Sequence, residues 1–203
     1  MVAAVREVFR EALTVLHTSP EALLARDKSD VRGAAWLLVS AAMARALPDD
    51  KALAATRQWF RKPAIRKQIS AEGTFPEELA SANPLRNTLT HFDMLTGACQ
   101  MLTTPFENLW SYELEDGPSL RVVVAWLYPR LKEKGLWNSV ADAQFFREVP
   151  LRRPGLLFAG RAYDRPEYVE QWKSEAAGVP VVLEGSVPIR EPLLWVTRAG
   201  HGL

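Results

Sequence analysis

Three neighbours in the sequence have the side-chain types that proton chemistry uses. His91 stands four residues after Asn87, one helical turn on and on the same face, and Arg86 directly precedes Asn87. An imidazole takes up and releases a proton near neutral pH, which makes His91 a candidate acid or base. An arginine beside it offers a planar cation that grips carboxylates through paired N–H groups. Arg32 and Trp36 form a second pair at the same spacing, one cation and one flat aromatic face of the kind that stacks on a pyranose ring. Glu78 has the type to orient Arg32 or Arg86, and Trp110 sits with Asn108 and Tyr112 on a predicted loop, where binding residues often lie. Each has a plainer alternative. His91 reads first as a polar residue on an apolar helix, and Trp36 and Trp110 as packing anchors; Arg32 reads equally as a surface cation disfavoured by the helix dipole, and Glu78 reads also as a partner for loop backbone.

The elements that must hold these residues read as helices throughout. Val5, Val8, Phe9, Ala12, Leu13 and Leu16 recur at three and four, predicting a first helix that ends near His17. Ser19-Pro20 opens a short second helix. Ser29 or Asp30 caps a third that is apolar on most sides up to Pro48, and Asp49-Asp50 starts a fourth that Pro63 should kink and Gly73 close. The 74–86 stretch predicts a connecting segment, followed by a helix over 88–102, a loop over 103–118 and a helix over 119–133. Prolines then divide the last quarter into short helices, the clearest over 155–162 and 166–176, with 179–183 as a weak strand candidate. The expectation is an all-α chain forming one domain over 1–203.

Composition narrows the function classes. The 203 residues carry 25 basic and 24 acidic side chains, a net charge of +1, which argues against a nucleic-acid binder driven by bulk charge. With 48% hydrophobic residues the chain reads as globular, and no apolar run is long enough to predict a membrane span. The charged, amphipathic start does not read as a signal peptide. Cys99 stands alone, so neither an internal disulfide nor a cysteine metal cluster is expected, and no phosphate loop, serine elbow or HExxH is present. No cofactor and no metal are expected.

Several strings occur in a telling order: Gly73-Thr74-Phe75-Pro76-Glu77-Glu78-Leu79, the helix beginning near Asn87, Asn108-Leu109-Trp110, Asp116-Gly117, Leu127-Tyr128-Pro129, the 154–160 stretch, and Pro188-Ile189-Arg190-Glu191-Pro192-Leu193-Leu194-Trp195. Across about two thirds of the chain this succession resembles the alginate lyase family of polysaccharide lyases. The resemblance implies an α/α toroid, a ring of helical hairpins around a cleft for an acidic polysaccharide. It also implies β-elimination, in which a base takes the proton beside a uronate carboxylate whose charge cationic or amide groups offset. A periplasmic or secreted location goes with it.

The family's catalytic pattern is altered here. Its Asn-Asn-His before a helix glycine aligns with Asp30-Val31-Arg32 before Gly33, so Arg32 replaces the histidine. Its Pro-x-Glu-Leu-x-Arg aligns with the segment from Pro76 to Ser81, which puts Ser81 in place of the arginine, and Asn87 stands for the tyrosine that follows. Arginine is a poor general base and asparagine cannot take a proton. The inherited mechanism should therefore fail unless His91 replaces the base beside Asn87 and Arg32, with Arg86, Trp36, Glu78 and Trp110 holding the sugar. Two readings result: an alginate-lyase-like protein that binds and cleaves a uronate polymer, or a catalytically inactive carbohydrate-binding or scaffold protein that keeps the fold. Beside the family the chain looks shortened at its front, an edge that a homodimer would cover. Arg32, Arg86, Arg61, Lys62 and Arg66 are expected to converge on a cationic cleft, with the acids mostly elsewhere.

Overall fold

A computed structural model describes residues 2–137, 141–142, 152–175 and 188–196. Eleven α-helices run in order among the described residues: α1 Val2–Thr18, α2 Pro20–Arg26, α3 Val31–Ala46, α4 Asp50–Trp59, α5 Ile65–Gln68, α6 Pro76–Leu79, α7 Pro84–Leu102, α8 Leu120–Lys132, α9 Pro154–Ala162, α10 Pro166–Ser174 and α11 Leu193–Val196. The described residues contain no strand, only two isolated bridges. The strand candidate over 179–183 and the last residue of the helix expected over 166–176 lie outside them.

Local chemistry starts most of these helices where the sequence predicts. The Ser19 side chain accepts from the Ala22 amide, Asp30 from Arg32, Asp49 from Ala52 and Ser119 from Val122, each answering an amide that the first turn leaves without a carbonyl. At Pro63 the chain does not break. The turn widens to a π-helix over Phe60–Ala64, which absorbs the missing proline N–H, and resumes as α5. Gly73 then turns the chain at φ 84°, against the start of α8, where a Cβ would lie 2.3 Å from the Val122 carbonyl oxygen.

The segment from 74 to 86 differs from the sequence reading in two ways. It contains α6, and α7 begins at Pro84, four residues earlier than predicted. The reason is a cap supplied from far along the chain: the Asp142 carboxylate accepts from the Leu85 amide (2.8 Å) and the Arg86 amide (3.0 Å).

The long helices α3 and α7 pack on each other at the centre of the fold, with α1, α2 and α4 against α3 and α9 against α7. One apolar cluster joins them, including Leu37, Phe60, Leu85, Leu89, Phe92, Leu127 and Phe158. Within it α7 carries a charge. Asp93 is fully enclosed, pairs with the equally enclosed Arg153, and accepts from the Gly155 amide (3.0 Å) at the start of α9. Burial outweighs both partners and pushes its carboxyl up to about 6. No described helix is long and apolar enough to cross a membrane.

Candidate functional site

The starts of α3 and α7 meet at α6, and Glu78 is the hub of that corner. Pro76 opens α6 and its single turn carries Glu78 inward, where Oε1 accepts from the Val31 amide (2.6 Å) and faces Nδ1 of His91 (2.9 Å). On the other side of the ring, His91 Nε2 lies 3.0 Å from Oε1 of Gln68, whose Nε2 donates to the Lys28 carbonyl (3.5 Å). Nδ1 thus faces a carboxylate and Nε2 a side-chain amide oxygen, so both ring nitrogens are engaged inside the protein. Phe75 stacks on the ring, centroids 4.1 Å apart and planes 15° from parallel, and His91 is 0% exposed. Gly33 lets the parts come this close. A Cβ there would lie 2.2 Å from the Lys28 carbonyl oxygen and 2.8 Å from Nε2 of Gln68.

Arg32, Ser81 and Asn87 lie on the outer side of the same corner. The exposed Arg32 guanidinium grips Asp30, with Nε 3.0 and 2.9 Å from the two carboxylate oxygens. That grip holds the Asp30 carboxyl below its ordinary value and raises Arg32 further. The Ser81 hydroxyl donates to the Glu78 carbonyl (2.7 Å) and accepts from Nδ2 of Asn87 (3.1 Å). The two positions where arginine and tyrosine were expected by resemblance are thus hydrogen-bonded to each other.

The structure brings Arg32, Glu78, Asn87 and His91 to one place but not Trp36 or Trp110. Trp36 is buried toward α1 and α4, its Nε1 donating to the Leu16 carbonyl (2.8 Å) and its ring packed on His17 and Trp59. Trp110 is buried in a 3-10 turn over Leu109–Ser111, edge-on to Tyr163, whose hydroxyl donates to the Trp110 carbonyl (3.0 Å). Arg86 is half-buried, with its amide at Asp142.

The expected cationic cleft is corrected by its ion pairs. Arg61 meets Glu107 (3.0 Å), Arg66 meets Asp116 and Arg32 meets Asp30, so acids accompany the cations instead of lying elsewhere. Charge counting along the sequence misses this because two of the three pairs join residues about fifty positions apart.

A feature that sequence spacing did not flag is the contact of His17 Nε2 with Ser40 Oγ (2.6 Å), the geometry of a base and a hydroxyl nucleophile. Ser40 is 0% exposed and its hydroxyl continues to Thr56 (3.1 Å), so the contact joins α1 to α3 and α4 instead of facing a substrate. Cys99 is buried, and desolvation raises its thiol well above the ordinary value. Among the described residues no three His, Cys, Asp or Glu side chains are grouped to hold a metal ion.

Chemically, the corner offers an exposed guanidinium, a hydroxyl and a carboxamide, groups that bind an anion or a sugar hydroxyl. Its imidazole is sealed beneath them. The architecture is that of the α/α toroid: the crystal structure of an alginate lyase from Bacteroides ovatus superimposes with a TM-score of 0.71 at 18% identity, over 97% of this chain and 50% of that one. This chain therefore spans half the length of that relative. The chain belongs to the alginate lyase family, whose sequence model matches residues 2–137. No curated protein matches it.

Proposed function

We propose that this protein binds a uronic-acid polysaccharide at the corner formed by Arg32, Ser81 and Asn87, and does not cleave it. Membership of the alginate lyase family supports an acidic polysaccharide as the ligand class. The observation that carries the non-cleaving reading is the enclosure of His91. A general base must come within hydrogen-bond reach of the proton it removes and must have a lone pair to take it. Both ring nitrogens of His91 face acceptors inside the protein, and Phe75 covers the ring. On the outer side of the corner, Asn87 and Ser81 have no basic nitrogen, and the Asp30 carboxylate is engaged by Arg32.

In this reading Arg32 meets the uronate carboxylate with the N–H groups that Asp30 leaves open, and Asn87 binds a sugar hydroxyl. Glu78 and His91 hold α3, α6 and α7 in the spacing that presents them. The apolar core shared by the described helices supports taking 1–203 as one binding unit.

The test uses alginate, polyglucuronate and pectate, following both binding by calorimetry and the absorbance of the C=C double bond that β-elimination creates. Binding without new absorbance is expected, weakened in Arg32→Ala. Absorbance that grows with time overturns the non-cleaving reading, and absence of binding to all three polymers overturns the binding one.

A further inference from the structure

Away from this corner, a tight turn follows α7. The turn is closed by reciprocal backbone bonds, Thr104 amide to Glu107 carbonyl (3.0 Å) and Glu107 amide to Thr104 carbonyl (3.2 Å), and by the Thr104 hydroxyl accepting from the Glu107 amide (3.0 Å). Pro105 fixes φ at the second position, as such turns favour. The third position is Phe106, where φ is not positive and most residue types fit, and its side chain is 100% exposed. Nothing in the turn requires an aromatic ring. Leaving it in water forgoes the roughly 2 kcal/mol that burying it would contribute. Glu107, the next residue, is tied to Arg61 (3.0 Å) on the π-helical turn, each about a third exposed, which anchors the turn to that element. Lys62, next in sequence to Arg61, is exposed.

We infer that Phe106 is a stacking platform for a pyranose ring of the polyuronate, with Arg61 and Lys62 meeting that sugar's carboxylate. This rests on the reading that the chain binds a polyuronate. A turn held by three hydrogen bonds and an ion pair presents the ring from an ordered backbone, so little backbone entropy is lost on binding. The apolar face of a pyranose matches a ring open on both sides, and the cations distinguish an acidic sugar from a neutral one.

Calorimetric titration of the full chain with oligomannuronate and with neutral cello-oligosaccharide, for wild type, Phe106→Ala and Phe106→Trp, tests it. Phe106→Ala should weaken oligomannuronate binding by about fivefold, a stacking contribution of ordinary size, with the urea midpoint unchanged. Phe106→Trp should restore the affinity, and the neutral oligosaccharide should bind more weakly throughout. Unchanged affinity in Phe106→Ala overturns the platform while leaving the corner site intact. Failure of the wild type to bind oligomannuronate removes both. Retention on phosphatidylcholine vesicles that Phe106→Ala abolishes, with sugar binding unaffected, assigns the ring to a lipid surface and overturns the proposal.

Discussion

Asp93 provides a test whose sign is set by burial alone. Its carboxyl, ordinarily near 3.8, is pushed up to about 6 because desolvation outweighs Arg153 and the Gly155 amide. The rise amounts to about 3 kcal/mol against the ionised form in the folded chain. A group with a raised value contributes stability that is fully present below its unfolded value and lost as pH rises through its folded value, here between about 4 and about 6. Between about pH 8 and about pH 5 the folded protein should therefore gain about 1.4 kcal/mol from taking up this proton. Asp93→Asn removes the titration but keeps the shape and an acceptor for the Gly155 amide. Urea unfolding of wild type and Asp93→Asn at the two pH values isolates the effect, because carboxyls held down by arginines, such as Asp30 and Glu167, are common to both. On acidification the stability difference should move by about 1.4 kcal/mol in favour of the wild type. A difference that stays constant, or moves toward the variant, refutes the reasoning. The latter is the behaviour of a carboxylate that Arg153 stabilises on balance.

Other expectations follow from the same structure. Gly33→Ala drives a methyl into the Lys28 carbonyl oxygen and should cost about 1–3 kcal/mol, read as a lowered urea midpoint. His91→Leu keeps an apolar group of similar size against Phe75 but removes the imidazole partner of the buried Glu78 carboxyl and of Gln68, so a loss of about 1–3 kcal/mol is expected in the same assay. Ser19→Ala removes one cap of a helix with no buried residue and should cost about 1 kcal/mol, seen as a small drop in melting temperature. Replacing Asp93 and Arg153 together by Leu and Met should leave the urea midpoint unchanged or raise it, since burying the two charges is costly.

What the sequence discloses here is local. Ser19, Asp49 and Ser119 announce their helices because the cap and the amide it serves are three residues apart, and Gly73 marks its turn because only a residue without a Cβ sits easily there. The early start of α7 is not announced, because its cap is Asp142. The corner site was legible as a set of residues: Arg32, Glu78, Asn87 and His91 do assemble. Their orientations were not. Whether His91 opens to solvent depends on Gln68, Phe75 and Glu78 arriving from two other elements, and helical spacing carries no information about that. Trp36 and Arg32 share a helix face by spacing, yet α1 and α4 cover the tryptophan and leave the arginine, at the first turn of the helix, in water.

The Asp142 cap also bears on the order in which the molecule forms. Two amides in the first turn of α7 are held by a carboxylate 56 and 57 residues later in the chain. Closing so long a loop is entropically slow compared with winding a helix, so the beginning of α7 remains frayed while its middle is already packed on α3. In a chain made from its N-terminus, the corner that holds Glu78 and Asn87 cannot acquire its final rigidity until residue 142 has been added. Amide exchange during refolding should show Leu85 and Arg86 gaining protection after Leu95 and Ala98, which makes this corner one of the last parts of the central helix pair to settle.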